Sequence, residues 1–172
     1  MFLRWVLVPK MRWMEISQLL TLTIIANGAP VIAQKLLREI ASQPLDNGWT
    51  LRDARPLFGP AKTLRGFLFG VLCPYAFAPL IGVRWTVGLA AGLAAMGGDL
   101  ISSFVKRRLG LAPSSRATGL DQIPESLLPA IACASSLELG WLDIIAATLI
   151  FLCGEIVLSK ILFRLHIRAR PF

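Results

Sequence analysis

The stretch Gly66 to Gly82, GFLFGVLCPYAFAPLIG, carries no charged residue, and after a turn holding Arg84 it is followed by Trp85 to Val105, whose one charge is Asp99. Two apolar runs joined so tightly leave few folds open. A hydrocarbon core of about 30 Å takes roughly 20 mostly apolar residues per helix, and a backbone in lipid must satisfy its polar groups internally. The pair therefore reads as two consecutive membrane helices, and Gly88-x-x-x-Gly92 in the second lets a neighbour approach closely.

The same template finds three more segments. Ile16 to Leu37 is apolar but interrupted by Asn27, Gly28 and Pro30, which predicts a kink near Pro30. Ser126 to Leu139 is the weakest, with Pro129 inside and Glu138 ending its uncharged stretch. Trp141 to Leu162 is clear apart from Glu155. With 172 residues, 55% of them apolar, five such segments account for nearly the whole chain as a single membrane-embedded domain, residues 1–172. The predicted fold is an all-α polytopic membrane protein with five transmembrane helices and two cytoplasmic loops.

Charge orients it. The formal net charge is +8, and in a soluble protein that balance would raise nucleic acid. Here the Lys and Arg lie between apolar segments, where positive-inside bias and contact with anionic membrane lipids account for them, so no nucleic-acid partner is expected. Six basic residues fall in Lys35 to Arg65, four in Lys106 to Arg116 and four after Leu158, against three in the N-terminal stretch and Arg84 alone in the turn. Five crossings put fourteen of the eighteen on one side, which predicts an outside N-terminus and a cytoplasmic loop face. Met1 to Trp13 lacks the long apolar core and small-residue cleavage site of a signal peptide. Cys73, Cys133 and Cys153 sit in apolar runs without metal-ligand spacing and read as buried structural residues.

Asp99 is the sharpest single residue, because a carboxylate at a membrane-helix centre costs about 2.5 to 3.5 kcal/mol by insertion scales. Asp99, Ser102, Ser103 and Lys106 share one helical stripe, and Asp99 lies about 10 Å below the basic loop at 1.5 Å per residue. Either the stripe lines a polar cavity with Asn27, Gln34 and Glu155, or Asp99 pairs with a cation to fix packing while the serines bond their own backbone. A second constellation, Lys62-Thr63-Leu64-Arg65-Gly66, brings two cations and a hydroxyl to a membrane boundary. It is either a headgroup anchor or, facing Lys106, Arg107 and Arg108, a phosphate clamp, since Arg offers a bidentate fork and Lys a movable point charge. Carboxylates beside such a clamp point to Mg²⁺, with Asp99 and Asp121 as the candidate ligands. No Walker loop, Rossmann glycine pattern or Ser-His-Asp set is present, and the one histidine, His166, lies in the tail.

At these residues the chain resembles the CDP-archaeol synthase family, a branch of the membrane cytidylyltransferases related to the CDP-diacylglycerol synthases. The resemblance rests on Asn27-Gly28-Ala29-Pro30, on Pro44-Leu45-Asp46 with Leu57 to Gly66, on the stretch from Gly98-Asp99-Leu100 to Lys106-Arg107-Arg108-Leu109-Gly110, on Leu120-Asp121-Gln122, and on the tail Leu165 to Phe172. It implies a five-helix enzyme that joins CTP to a lipid phosphate with Mg²⁺, giving a CDP-lipid and pyrophosphate. On that resemblance Asp99, Lys106 and Asp121 are catalytic, and Asp99 and Asp121 hold the metal. Asn27, Lys62, Thr63, Arg65, Ser102, Ser103 and Arg107 bind CTP and the lipid phosphate.

The chain departs from the family pattern in places. Asp53-Ala54-Arg55 stands where Asp-Gly-Arg is common, Pro60-Ala61 where an Asp or Ser precedes Lys-Thr, and Leu64 where Trp is common. Pro124 takes the place of a further Asp, leaving Glu125 as a carboxylate shifted by one residue. Two alternatives compete. A CDP-alcohol phosphotransferase lacks its D-G-x-x-A-R…G-x-x-x-D-x-x-x-D spacing here, and a small channel, transporter or scaffold would use Asp99 and Glu155 to line an ion path. Nothing in the pattern fixes an oligomeric state or the choice between ether and ester lipid.

Overall fold

A computed structural model of the protein describes residues 10–38, 40–112 and 119–164, with side chains up to 157. Five α-helices make up the described chain: α1 (Trp13–Leu37), α2 (Leu64–Phe77), α3 (Trp85–Arg108), α4 (Gln122–Cys133) and α5 (Trp141–Arg164). A 3₁₀ turn, Ala78–Ile81, prolongs α2. No β-strand forms among the described residues, so the fold is all-α as expected.

Three of these units, Trp13–Leu37, Leu64–Ile81 and Trp85–Arg108, are long and apolar enough to cross a membrane. The fifth helix has 24 residues. The fourth differs from expectation. Instead of Ser126 to Leu139 it occupies Gln122–Cys133, and its 12 residues rise only about 18 Å, short of the hydrocarbon thickness. Beyond Cys133 the chain turns, with Leu137 N–H on the Cys133 carbonyl and Glu138 at φ 52, and hands over directly to α5. The first helix runs from Trp13 to Leu37 and continues through Pro30.

The helices pack through small residues. A Cβ placed on Gly88 would come within 2.3 Å of the Pro74 carbonyl, and one on Gly92 within 2.9 Å of the Val71 Cα, so the Gly88-x-x-x-Gly92 spacing seats α3 against α2. Six residues further toward the loop end, a Cβ on Gly98 would meet the Pro124 carbonyl at 2.3 Å, which brings α4 equally close to α3. The core between these helices contains Ile16, Leu19, Leu22, Ala78, Val87, Ala91, Ala130 and Cys133. Large apolar side chains also cover the outside, among them Ile24, Leu72, Leu80, Leu93, Ile131 and Leu149. A surface this apolar around a packed core suits a lipid surround.

Cys133 is buried as expected, whereas Cys73 is half-buried and Cys153 exposed; all three are free thiols. The reason is that an apolar run in a membrane helix has an outward face, and Cys153 falls on that face of α5.

The chain crossings collect polar groups at two ends. At one end the C-terminus of α1, the loop 41–63, the start of α2, the end of α3 and the start of α4 come together. At the other meet the start of α1, the 3₁₀ turn, the end of α4 and the start of α5. There the Gln18 amide donates to the Ile81 carbonyl (2.9 Å), the Arg12 N–H to Asp143 (3.1 Å), and Arg12 pairs with Glu138 at 2.8 Å.

Candidate active site

The loop 41–63 is built, not slack. Asn47 (φ 48) and Gly48 (φ 77) turn the chain, antiparallel bridges join Pro44 to Thr63 and Thr50 to Pro56, and Leu45 N–H donates to the Lys62 carbonyl at 2.7 Å. Asp46 anchors it by accepting from the N–H groups of Phe58 (2.9 Å), Gly59 (2.9 Å) and Gly48 (3.1 Å). Partial burial works to raise the Asp46 pKa, but the amides of Gly59, Phe58 and Gly48 outweigh it and hold the carboxyl below its usual range.

A second set of contacts clamps this loop onto the end of α3. Arg108 donates to Asp53 (2.5 Å) and to the Pro56 carbonyl (2.6 Å) while stacking over Phe104, its guanidinium carbon 5.3 Å from the ring centroid. Arg55 in turn donates to the Arg108 carbonyl. Ala54 between them has φ 57, a left-handed conformation that glycine adopts at less cost. The Asp-Ala-Arg stretch is thus a latch on the end of α3.

The latch presents Lys62 to Asp99. The lysine Nζ lies 2.5 Å from Oδ1 and 2.6 Å from Oδ2 of Asp99, with both side chains roughly one-quarter exposed or less (25% and 21%). Asp99 has a second neighbour, since the Glu125 carboxyl is in hydrogen-bonding contact with it and Glu155 of α5 adds its charge nearby. Closer to the loop, Lys106 pairs with Asp121 at 2.7 Å, and here the side chains are 9% and 15% exposed. Asp121 and Glu125 lie one turn apart on α4 and so face α3 together. The site is therefore two stacked lysine–carboxylate pairs, one of them crowded by further carboxylates, on a scaffold of α3, α4 and the loop.

The other expected site residues divide. Asn27 is enclosed on α1 with its amide nitrogen lacking a hydrogen-bond partner. Thr63 caps α2, its hydroxyl accepting from Gly66 N–H at 3.1 Å. Arg65 is buried and donates to the carbonyls of Arg38 and Ile40, each at 2.6 Å, just past the end of α1. Arg107 is buried below Gly59 and donates to the Ala112 carbonyl (2.8 Å). Ser102 is fully enclosed with its hydroxyl turned onto the Asp99 carbonyl (3.0 Å), and Ser103 is buried beside it. Ser102 thus bonds its own helix backbone, as one of the two readings of the stripe had it. His166, Arg116 and the closing stretch Leu165 to Phe172 lie outside the described residues, as does Met1 to Pro9. Glu125 is the contact that the motif pattern alone did not assign. Its signal was the i, i+4 spacing from Asp121.

These residues fit a hard divalent cation. Carboxyl groups of Asp99 and Glu125 in mutual contact repel when both are ionised, and a cation between them relieves that. No group of three acidic, His or Cys side chains able to hold a metal alone occurs among the described residues. That donor set suits Mg²⁺, which takes one or two carboxylates and completes its shell with water and substrate phosphates.

An apolar helical bundle with ionisable groups gathered at one end defines an integral membrane protein. The chain belongs to the CarS-like CDP-archaeol synthase family, whose model matches residues 19–172. It is 31% identical over 87% of its length to the CDP-archaeol synthase of Sulfurisphaera tokodaii, covering 90% of that protein. With the CDP-archaeol synthase of Pyrococcus furiosus it shares 40% identity over 56% of its length and 60% of the relative's. It also resembles, with a TM-score of 0.72 and 28% identity over 83% of this chain and 90% of the other, a solved structure described as an intramembrane enzyme for archaeal membrane lipids biosynthesis.

Proposed function

We propose that the protein transfers a cytidylyl group from CTP to a membrane lipid phosphate of the archaeol phosphate type, releasing pyrophosphate and leaving a CDP-lipid. The observation that carries this is the stacked pair Lys62–Asp99 and Lys106–Asp121 under a latched loop. Membership in the CDP-archaeol synthase family supports it.

In this reaction an oxygen of the lipid phosphate forms a bond to the α-phosphorus of CTP as the bond to the bridging oxygen of the pyrophosphate breaks, and the pyrophosphate departs with that electron pair. The nucleophile is already an anion, so no side-chain base is required. The barrier lies in bringing anions together and in the charge that builds on the leaving group. Lys62 and Lys106 exchange part of their contact with Asp99 and Asp121 for phosphate oxygens, placing two point charges along the triphosphate. Arg107 stays with the Ala112 carbonyl and adds positive field beneath Gly59 without moving. Mg²⁺, when bound, supplies Lewis-acid neutralisation of the phosphates. Asp99 would hold it, with Glu125 as the second carboxylate and Asp121 the ligand implied by resemblance. The enclosed amide of Asn27 is a donor held ready for substrate.

The basic loop face is cytoplasmic in this reading, where CTP is available, and the N-terminus lies outside, with five crossings in which the short α4 is prolonged by the turn that follows Cys133. An ion path along Asp99 and Glu155 is not favoured by the family, and Asp99 is engaged by Lys62. The test is incubation of the purified protein with Mg²⁺, α-labelled CTP and a panel of ether- and ester-linked lipid phosphates. Label is expected in a CDP-lipid; none from any acceptor, with the protein folded, refutes the assignment.

A further inference from the structure

Three cations at the loop end are matched by carboxylates, Lys62 by Asp99, Lys106 by Asp121 and Arg108 by Asp53, while Arg55 and Arg107 donate to backbone carbonyls. Lys35, Arg38 and Arg65 have no carboxylate partner among the described residues, and they meet in one open cavity of about 560 Å³ with Gln34, Ser42 and Thr63. Arg65 is the fixed member, 4% exposed, with its Nε enclosed and unpartnered. Its Nη1 is held by the carbonyls of Arg38 and Ile40, just past the end of α1. What remains is a cavity with three positive charges, a carboxamide and two side-chain hydroxyls. That is a phosphate-binding chemistry.

The cavity lies on the α1–α2 side of the 60–63 turn, and Lys62 reaches Asp99 of α3 from that same turn. Lysines and arginines at a membrane boundary often serve only as headgroup anchors, but an anchor does not need a buried arginine with a spare donor. One helical turn deeper on the same faces lie Val31, before Lys35, and Leu68 and Phe69, after Arg65, at 52%, 45% and 39% exposed. A polar cavity above apolar helix faces open to lipid is the shape of a phosphate with hydrocarbon chains attached. A free nucleotide would leave those faces unmatched.

We propose that this cavity seats the phosphate headgroup of the lipid acceptor, with its chains lying along α1 and α2, so that the acceptor approaches from the side of the turn opposite to Asp99. The proposal rests on the cytidylyltransferase reading and divides its two substrates between two faces of one turn. The test uses the full chain in nanodiscs and the double variant Lys35→Gln/Arg38→Gln, chosen because both side chains are exposed and their loss leaves packing intact. In turnover, KM for lipid phosphate is expected to rise tenfold or more while KM for CTP and kcat change less than twofold. A rise in KM for CTP instead, or no change in either, overturns the proposal. Binding is read separately on an Asp99→Asn background by native mass spectrometry with a dialkylglycerol phosphate, a neutral dialkylglycerol and inorganic phosphate. Retention of the lipid phosphate alone, lost in the double variant, is expected even if turnover is never seen. Equal retention of the neutral lipid, or displacement by equimolar inorganic phosphate, contradicts it.

Discussion

The two ends of the bundle hold ion pairs of different kinds. At the α1 start, Arg12 reaches Glu138 across a water-exposed gap, with side chains 39% and 72% exposed, and Asp143 receives N–H groups from Arg12 and Gly140. Those contacts fasten helix ends to one another, and solvent screens the Arg12–Glu138 pair to a worth of about 1 kcal/mol or less. At the loop end Lys62–Asp99 and Lys106–Asp121 are more enclosed, and Asp99 shares its space with Glu125, while the Arg108–Asp53 latch stays more exposed. An enclosed pair with an excess of carboxylate has little to recommend it as a fastener, since desolvation offsets its attraction. The difference teaches that charge is placed at one end for holding and at the other for binding.

Four substitutions press on that contrast. The largest effect is expected from Asp99→Asn, which lowers the rate of CDP-lipid formation by a factor on the order of 10²–10³ with the helical circular dichroism unchanged. Wild-type turnover in that variant would return Asp99 to packing. Lys106→Met, measured with saturating CTP and lipid, is expected to lose activity by about 10²-fold, and an equal loss in thermal stability would mark the lysine as a fastener after all.

Asp46→Ala unties the loop from Phe58 and Gly59. About 1–2 kcal/mol of local loop stability is expected to go, seen as faster proteolysis between residues 46 and 60, with a smaller drop in activity. Because the folded Asp46 carboxyl sits below its ordinary pKa of 3.8, its stabilisation is fully present above that pH and is lost as pH falls through the depressed folded value. The wild-type loop is therefore expected to become protease-sensitive only below about pH 3.8, and a loop already open at pH 6 contradicts the anchor. The smallest effect belongs to the opposite end: Arg12→Gln is expected to lower stability by about 1 kcal/mol at most and leave kcat and both KM values alone.

How far the residues themselves disclosed this can be judged from particular ones. The apolar runs and Gly88-x-x-x-Gly92 located α1, α2, α3 and α5, because lipid leaves a backbone one local solution and small residues one way to pack. Helix four was mislaid by several residues, since its 12-residue length is set by contact with α3 at Gly98 and by the turn after Cys133. Asp99 announced itself by cost alone, but its partner could not be read from spacing: Lys62 lies 37 positions away and arrives through a loop folded by Asp46 and the Asp53–Arg108 latch. Thr63 and Ser102 carry hydroxyls that suit substrate on paper, yet local backbone donors and acceptors claim them first. Glu125 was visible as a carboxylate shifted by one residue from the family pattern, but its contact with Asp99 was not, because that depends on how closely α4 approaches α3 at Gly98.

The most direct test of a binding end and a fastening end is hydrogen–deuterium exchange of the full chain with and without CTP and Mg²⁺. Protection is expected in 41–63 and 99–108 and at the start of α4, with none at 78–85 or 134–143. Protection confined to the opposite end, or none anywhere at saturating nucleotide, would contradict the account.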